Sequence, residues 1–500
     1  MVGNYGFYGY ICNNEYLGES MSNKDRQRKQ NRFDDVKHTV EKLEALIEVF
    51  ALMMAYFLIW KYKYRPMDFY PYYGSGKYIL VGVYAFLIFV LFWHCDAFKF
   101  GHLKLTDVFI SQVISTFLVN IVTYFQICLM AKKMVPVYPI ALLFAFEIII
   151  EFILVYIYTW IYHKLYIPKN MIMIYGNDDA VTLKFKMDER ADKYKVNKLI
   201  SIEEGYEKIC RSIADYDAVI INDVSAEIRN DILKFCYENK IRTYVTPKLT
   251  DILISGADDI TLFDTPLKLV DGHGLTLTQR AVKRTMDLVL CLIAMIPAAP
   301  FMLIVALCIK IEDRGPVFFK QERVTRDGKK FDILKFRSMI VDAEKEGKSI
   351  PATGRDPRIT RVGRVIRATR LDELPQLLNI IKGNMSIVGP RPERTEHVEK
   401  YSEEIPEFPF RLKVKGGLTG YAQIYGKYNT TAYDKLRLDL MYIENYSILL
   451  DIKLILMTLR IMIKPESTEG FEKQKELDAM KEEILSECAV TSEDADNNEK

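Results

Sequence analysis

Two adjacent carboxylates, Asp372 and Glu373, stand directly after a stretch in which arginine recurs at every third residue. The arginines of this stretch are Arg355, Arg358, Arg361, Arg364, Arg367 and Arg370. Arginine binds phosphate groups bidentately, whereas carboxylates hold divalent metal ions or attack phosphorus as nucleophiles. This combination of residue types indicates chemistry on a phosphorylated substrate.

The segment that carries the two carboxylates, residues 371–376, reads LDELPQ and opens the apolar run Leu377–Ile381. Proline is tolerated in the first turn of a helix and not further inside it. The sequence therefore predicts that Asp372 and Glu373 lie at a helix N-terminus, where the helix dipole favours anions. The residues alone leave one alternative open, which is an ordinary acidic first turn paired with Arg367 or Arg370.

Three further phrases place basic residues or flexible backbone near one another along the chain. Lys335–Met339 ends a strand-like run, Gly389–Glu393 is a proline-rich turn with one arginine, and Gly416–Gly420 is a glycine-rich loop. Together they predict basic side chains on loops that converge on a phosphorylated substrate at a membrane surface.

The length and composition of the chain limit the kinds of protein to which these residues can belong. The chain has 500 residues, half of them hydrophobic, so it is long enough for about three domains and is not disordered as a whole. Its net charge of +2 gives no reason to expect nucleic-acid binding. The eight cysteines contain no CxxC pair and the six histidines do not cluster, which argues against a zinc site.

Four segments in residues 43–164 are long and apolar enough to be transmembrane helices. They are Leu43–Trp60, Tyr78–Cys95, Val108–Ala131 and Val135–Tyr162. Lys and Arg before the first helix favour a cytoplasmic N-terminal segment, residues 1–42, so the chain returns to the cytoplasm after the fourth helix. Glu147 and Glu151 share one face of that helix; they either form a polar path or lipid contact, or are hydrogen-bonded inside the bundle.

Residues 165–278 alternate strands and helices, which predicts a small Rossmann-like α/β domain. We expect strands at Met171–Tyr175, Asp217–Ile221 and Arg242–Val245, with a helix at Ala226–Asn239. The turn after the first strand, residues 176–179, reads GNDD and has one glycine and two carboxylates. A dinucleotide site needs several glycines there, so the sequence favours a structural or regulatory domain.

Residues 279–465 contain the motifs described above and one further uncharged stretch, Leu288–Ile309. Pro297 and Pro300 interrupt it, and basic residues flank both ends, which predicts a re-entrant membrane helix with both ends cytoplasmic. The alternative is a kinked fifth span. Ser447–Lys464 is predicted to be an interfacial helix, and residues 466–500 an acidic, largely disordered tail.

The motifs resemble those of the bacterial sugar transferases, which move a sugar-1-phosphate onto polyprenyl phosphate. The resemblance covers residues 283–464. The matching phrases, in order, are Lys283–Asp287, Gly315–Val324, Lys335–Met339, Leu371–Gln376, Met385–Pro392, Leu418–Gln423 and Leu438–Asp451. The layout, with four spans and an α/β domain before the transferase, resembles the long-form members that prime polymer synthesis.

The resemblance implies a reaction and a role for each site residue. Asp372 would attack the sugar-linked phosphorus of a UDP-sugar and release UMP, and undecaprenyl phosphate would then accept the phosphosugar. Glu373 would hold Mg²⁺, the implied cofactor. The basic positions that contact phosphate fall on Lys335, Arg367 and Arg391.

The same resemblance implies the architecture and the surroundings of the protein. The fold class is a membrane α-helical bundle, an α/β Rossmann-like domain and an α-rich monotopic catalytic domain with a re-entrant membrane helix broken at Pro300. The implied location is the cytoplasmic membrane, in contact with membrane lipids and with the active site on the cytoplasmic face. Long-form relatives suggest a homodimer, although the residues leave the oligomeric state open.

Two departures from the family pattern are visible. Ala299 stands before Pro300 where the family often has serine, and Gly416-Gly417 replaces the usual Pro-Gly. Two rival interpretations also remain. One is a catalytically silent scaffold for polysaccharide assembly, which the intact Asp372-Glu373 pair opposes. The other is a nucleotide sensor in the α/β domain, which the acidic turn opposes.

Overall fold

The computed structural model describes residues 20–64, 76–166, 168–177, 179–341, 356–426 and 430–462. The predicted acidic tail, the first 19 residues and Asp178 of the GNDD turn lie outside these ranges. The chain divides into two compact units, Met1–Ile167 and Pro168–Lys500.

The first unit is a helical bundle. Its helices are α1 (Ser20–Ile59, continued by a π-helical turn Trp60–Tyr64), α2 (Gly76–His94), α3 (Leu105–Ala131) and α4 (Tyr138–Leu165). Each contains almost all of one predicted span. Four helices among the described residues are long and apolar enough to cross a membrane: Thr39–Tyr64, Leu105–Ala131 and Tyr138–Lys164 in this unit, and Leu277–Asp313 in the second unit. The apolar stretch of α2, Tyr78–His94, is shorter. The chain is a membrane protein.

The four helices close into a ring, because α1 contacts α2 and α4, and α3 contacts the same two helices. The bundle centre is filled by buried apolar side chains such as Leu52, Ile88 and Leu143. The ring of Tyr56 stacks on that of Tyr84, with centroids 4.3 Å apart.

The two carboxylates of α4 face the interior of this bundle, and both are fully buried. Glu147 accepts hydrogen bonds from the Tyr84 hydroxyl and, at 2.6 Å, from Asn120 Nδ2. Glu151 accepts one from the Thr116 hydroxyl. Of the two interpretations of this pair, the structure favours hydrogen bonding inside the bundle, because polar groups on α2 and α3 supply the partners.

The second unit begins with a parallel sheet. Its strands are β1 (Lys169–Tyr175), β2 (Tyr194–Ser201), β3 (Ala218–Asn222) and β4 (Arg242–Val245), in the order β2-β1-β3-β4. The connecting helices are α5 (Asp179–Asp188), α6 (Tyr206–Ile213) and α7 (Ala226–Glu238). Separate apolar cores cover the two faces of the sheet, as expected for parallel strands. The three predicted strands and the helix are confirmed, and β2 was missed.

A short helix and a hairpin follow the sheet. They are α8 (Leu249–Ser255), β5 (Asp258–Leu262) and β6 (Thr265–Leu269). The hairpin is exposed, but Leu249 and Ile252 of α8 are buried in the same core as Leu436 and Leu440, far along the chain. This shared core joins the α/β domain to the motif-bearing domain.

The motif-bearing domain is mostly helical, and its described residues contain two short two-strand pairings, both within residues 318–419. Its helices are α9 (Leu277–Asp313), α10 (Arg361–Ala368), α11 (Gln376–Lys382), α12 (Thr395–Glu404), α13 (Tyr421–Tyr425), α14 (Ala432–Glu444) and α15 (Ile448–Met462). Its strands are β7 (Phe318–Val324), β8 (Lys330–Phe336), β9 (Ser386–Val388) and β10 (Gly417–Thr419). β7 pairs antiparallel with β8, and β9 pairs parallel with β10.

The helix α9 contains both prolines and runs for 37 residues without leaving the helical conformation. A proline removes one backbone hydrogen bond and bends a helix, and it need not end the helix. At 1.5 Å per residue the helix is about 55 Å long, well beyond the ~30 Å hydrocarbon core of a bilayer. The break predicted at Pro300 is therefore wrong, because the helix continues through both prolines, and the helix is long and apolar enough to cross a bilayer.

The shared core generates a stability prediction for α8. Ile252 is 3% exposed, whereas Ile254 on the same helix is 50% exposed. Ile252→Ala leaves a cavity between α8 and α14 and should lower the free energy of unfolding by about 2–4 kcal/mol. Ile254→Ala should change it by less than about 0.5 kcal/mol. Melting of the full chain in detergent measures both, and equal melting temperatures for the two variants would show that α8 is not part of this core.

Candidate active site

The two carboxylates lie in a single 3₁₀ turn, Leu371–Glu373, between α10 and α11. Arg370 has a left-handed backbone, with φ of 55°, and turns the chain sharply at the end of α10. Pro375 then caps α11 at its N-terminus. The predicted helix N-terminus is therefore one turn further along the chain than the carboxylates. The two acidic residues sit on the tight turn that leads into it.

Glu373 is the centre of an ion-pair cluster. Its Oε1 atom accepts a hydrogen bond from Lys335 Nζ at 2.9 Å and another from Arg391 Nη2 at 3.1 Å. The carboxylate is 16% exposed. The partners are not Arg367 or Arg370, so the alternative of an acidic turn paired with its neighbouring arginines does not describe Glu373. Lys335, Glu373 and Arg391 come from three separate sequence motifs and form one ion-pair cluster.

The two carboxylates have opposite electrostatic environments. Burial alone raises the pKa of Glu373, but Arg391 and Lys335 outweigh it and lower the pKa to about 2. Burial raises the pKa of Asp372 above its ordinary value; the charge of Glu373 adds to this rise, while Lys335 and Arg367 oppose it. Glu373 is thus fixed as an anion, whereas Asp372 is the more basic carboxylate, as a nucleophile should be.

Lys335 is held in place through the backbone of its own strand, β8. Asn379 of α11 accepts a hydrogen bond from Leu334 N at 2.9 Å and donates one to Asp332 O at 2.8 Å. Asn379 is 1% exposed. This clamp fixes β8 against the helix that follows the acidic turn. Sequence reasoning missed Asn379; the available signal was a polar residue inside the apolar run Leu377–Ile381.

Arg391 lies on a loop that is packed glycine against glycine. Gly389 donates a backbone hydrogen bond to Thr419 O at 2.8 Å, and Gly417 donates one to Pro390 O at 2.9 Å. A Cβ on Gly417 would lie 2.1 Å from Gly389 N, so only glycine allows this approach. The predicted turn Gly389–Glu393 and the predicted loop Gly416–Gly420 are therefore two halves of one structure. That structure presents Arg391 to Glu373.

Arg367 lies on the last turn of α10, is exposed, and contributes charge to Asp372. Four of the five predicted site residues, Asp372, Glu373, Lys335 and Arg391, are adjacent in the structure. Arg367 stands at their edge, on the solvent side.

The residues present fit a magnesium ion of the kind that is bound largely through its substrate. Mg²⁺ commonly takes one or two protein carboxylates and completes its shell with water and phosphate oxygens. Both cations contact Oε1 of Glu373, and a carboxylate has lone pairs for about four contacts, so capacity remains. Among the described residues no group of three or more acidic, Cys or His side chains could cage a metal by itself.

This geometry defines a class of site. A basic, partly buried carboxylate stands beside an anionic one, and fixed cations surround both. Such a site can form a bond to phosphorus and offset the charge of a phosphorylated substrate. It is carried by a chain with a membrane-spanning bundle, which points to group transfer at a membrane.

Comparison with known proteins agrees with this class. A sequence profile described as bacterial sugar transferase matches residues 278–465. The chain is 39% identical over 191 residues to the UDP-glucose:undecaprenyl-phosphate glucose-1-phosphate transferase of Caulobacter vibrioides, a match that covers 37% of this chain and 71% of that protein. The chain belongs to the bacterial sugar transferase family.

Two longer relatives match over a smaller share of their length. The UDP-N-acetylgalactosamine-undecaprenyl-phosphate N-acetylgalactosaminephosphotransferase of Aeromonas hydrophila is 42% identical over 185 residues, 36% of this chain and 44% of that protein. The UDP-glucose:undecaprenyl-phosphate glucose-1-phosphate transferase of Klebsiella pneumoniae is 37% identical over 247 residues, 48% of this chain and 51% of that protein. The chain spans about half the length of these two relatives.

The raised pKa of Asp372 generates a pH prediction. Protonation of Asp372 removes the nucleophile, and its pKa is raised by burial, so activity should fall on acidification at a higher pH than for an ordinary aspartate. Because Lys335 opposes the rise, Lys335→Met should move the acid limb of kcat/KM to still higher pH. Lys330→Met on the same strand, where the lysine faces Glu322 at 3.2 Å, should leave the limb in place. An acid limb that stays fixed in Lys335→Met would show that Lys335 does not act on this carboxylate.

Proposed function

We propose that this protein transfers a sugar-1-phosphate from a UDP-sugar to undecaprenyl phosphate, giving undecaprenyl-diphosphate-sugar and UMP. The observation that carries the proposal is the meeting of Asp372, Glu373, Lys335 and Arg391 at one site inside the family-matched segment. The relatives named above share undecaprenyl phosphate as acceptor, but their names give different sugars. The proposal therefore leaves the sugar open.

The first step forms a bond between a carboxylate oxygen of Asp372 and the phosphorus that carries the sugar. The bond from that phosphorus to the oxygen of UMP breaks, and UMP leaves with the electron pair. In the second step a phosphate oxygen of undecaprenyl phosphate attacks the same phosphorus and releases the Asp372 carboxylate. Two displacements at one centre suit a covalent nucleophile with a basic carboxylate.

Three basic side chains, Arg391, Lys335 and Arg367, stabilise negative charge on the substrate and do not transfer protons. Arginine and lysine clamps are typical of phosphoryl transfer, because charge accumulates on the transferring group and its leaving oxygen. Glu373 fixes the positions of Lys335 and Arg391 before substrate arrives. We expect Arg367, at the exposed edge, to meet the substrate as it enters.

Magnesium, when bound, would offset the negative charge of the diphosphate, and Glu373 is the side chain we assign to hold it. The adjacent carboxylate of Asp372 is left as the nucleophile. The assignment rests on the remaining lone pairs of Glu373 and on the closeness of the two acidic residues.

The acceptor is a lipid, and two helices of the transferase domain present apolar side chains outward. On α9 the exposed residues include Leu292, Ile296 and Leu303. On α15 the polarity is inverted, since Asp451 and Arg460 are buried while Leu449 and Leu459 are exposed. Apolar outer faces of this kind suit contact with a bilayer rather than water.

Contacts at both ends of α9 support a re-entrant helix with both ends on one side of the membrane. Near its start, Asp287 accepts hydrogen bonds from Ser386 Oγ at 2.7 Å and from Ile387 N at 3.1 Å. Near its end, Glu312 accepts one from Arg361 N at 2.8 Å. Contacts of both ends with one domain favour this arrangement, since a spanning helix would place its ends on opposite sides of the membrane.

Other features complete the proposal. We place the protein in the cytoplasmic membrane with its site on the cytoplasmic face, and we propose that its product primes polysaccharide synthesis. We assign the parallel sheet to the Rossmann-like class, with a structural or regulatory role. A homodimer is the oligomeric state that we propose to test.

The covalent step is tested at Asp372. With UDP-glucose or UDP-N-acetylgalactosamine and no lipid acceptor, the wild type should release about one UMP per site and retain the phosphosugar. Asp372→Asn keeps the shape of the side chain but removes its charge, so it should retain none and show no turnover. Glu373→Gln should be severely impaired, with partial recovery at high magnesium.

The matched control for that experiment is Asp327→Asn, an exposed aspartate in the turn between β7 and β8, which should behave like the wild type. Retention of label by Asp372→Asn at the wild-type level would place the nucleophile elsewhere. A wild type that turns over but never retains label would indicate direct transfer.

The topology is tested with cysteines and a membrane-impermeant thiol reagent, in an active variant that lacks reactive native cysteines. Thr278 is exposed in the first turn of α9, and Lys320 is exposed in β7, after the end of α9. Thr278→Cys and Lys320→Cys should be labelled from the same side, and Met134→Cys, in the loop between α3 and α4, from the opposite side. Labelling of Thr278→Cys and Lys320→Cys from opposite sides would establish a fifth span.

A further inference from the structure

A buried ion pair lies directly behind the loop that presents Arg391. Arg411 and Asp439 are 3% and 1% exposed and come from separate elements, the 3₁₀ segment Phe408–Lys413 and α14. Arg411 Nε donates to Asp439 Oδ2 at 2.8 Å, and Nη2 lies 2.7 Å from the same oxygen. A buried ion pair of this kind usually contributes little net stability, so stability alone does not explain why Arg411 and Asp439 are present.

The guanidinium of Arg411 also makes one short hydrogen bond outside the pair. Its Nη2 donates to the backbone carbonyl of Arg391 at 3.0 Å. The side chain of Arg391 in turn contacts Glu373. A continuous chain of contacts therefore runs from Asp439 through Arg411 and the Arg391 backbone to the acidic turn.

The loop after Arg391 has further contacts of its own, besides an ion pair at 3.9 Å between Arg411 Nη1 and Glu393 Oε1. Arg323 Nη1 donates to Pro392 O at 3.2 Å, and Val324 N donates to Glu393 O at 3.0 Å. Those contacts fix the loop after Arg391, and the glycine packing fixes it before. Arg411 contacts the carbonyl of Arg391 itself.

We propose that Arg411 and Asp439 are positioning residues for the transfer reaction, which act by fixing the backbone of Arg391 so that its guanidinium faces the phosphate site. This inference rests on the proposed function. Asp439 orients Arg411, since its carboxylate engages two guanidinium nitrogens and directs Nη2 at the carbonyl. Lysine in place of Arg411 offers one ammonium group and no fork, so it cannot make both contacts with the same geometry.

The test is a double-mutant cycle on the full chain in lipid nanodiscs, with undecaprenyl phosphate and whichever of UDP-glucose and UDP-N-acetylgalactosamine supports UMP release. Removing one member of the pair buries an uncompensated charge, so both are replaced together, as Arg411→Met/Asp439→Leu. Arg391→Ala should lower kcat by about 10²–10³-fold, the usual effect of removing one transition-state donor. The paired replacement should lower kcat by about 10–100-fold, since small misplacements of a reacting group have effects of that size.

The decisive measurement is the paired replacement made in the Arg391→Ala background. If Arg411 and Asp439 act through Arg391, they should have less than about a twofold further effect there. An equal loss of kcat in both backgrounds would overturn the proposal, and so would wild-type kcat in the paired variant. Arg411→Lys, which keeps the charge balance, should lose an intermediate amount and gives the same comparison if the paired variant does not fold.

Two controls separate this inference from the proposed function. Arg190 and Asp192 form another arginine–aspartate pair with two hydrogen bonds, at 2.9 and 3.0 Å, in the α/β domain, and Arg190→Met/Asp192→Leu should leave kcat unchanged. A wild-type kcat in Arg391→Ala would contradict the role of Arg391 in the proposed function. The loss of kcat in Arg391→Ala together with an additive effect of Arg411 and Asp439 would contradict the positioning role alone.

Discussion

The charge balance at Glu373 is the constraint on which the catalytic domain depends. One carboxylate oxygen of Glu373 accepts hydrogen bonds from both a lysine and an arginine, and those cations come from β8 and from the loop after β9. Without the carboxylate, the two cations would repel each other at close range. Glu373 thus keeps Lys335 and Arg391 in fixed positions beside Asp372, so the site needs little reorganisation when a diphosphate binds.

The surrounding structure holds the parts of this cluster by their backbones. Asn379 bonds the backbone of β8 on both sides of Ile333, and two glycines bring the Arg391 loop within backbone contact of β10. Backbone clamps leave the charged side chains free to face the substrate. The main role of the short strands β9 and β10 is therefore to fix the position of the loop that carries Arg391.

The sequence predicted features that are local in the chain. Residue spacing and hydrophobicity predicted the acidic pair, the motifs with basic residues, the transmembrane helices and three strands. β2 was missed because its edge position leaves several polar side chains exposed among few buried ones. The partners of Glu373, Asn379 and Arg411 depend on contacts between residues up to 47 positions apart, for which a single sequence carries no pattern.

The helix α9 has a consequence for how the protein is made. One of its faces supplies core residues such as Cys291 and Ala298, packed with Leu377 and Ile380, while the other face is a row of exposed apolar side chains. If the domain folded in water, the exposed apolar face of α9 would remain in contact with water. If α9 entered lipid alone, its core face, with Cys291 and Ala298, would lack Leu377 and Ile380. In the re-entrant arrangement proposed above, folding and membrane insertion of the transferase domain would be one event.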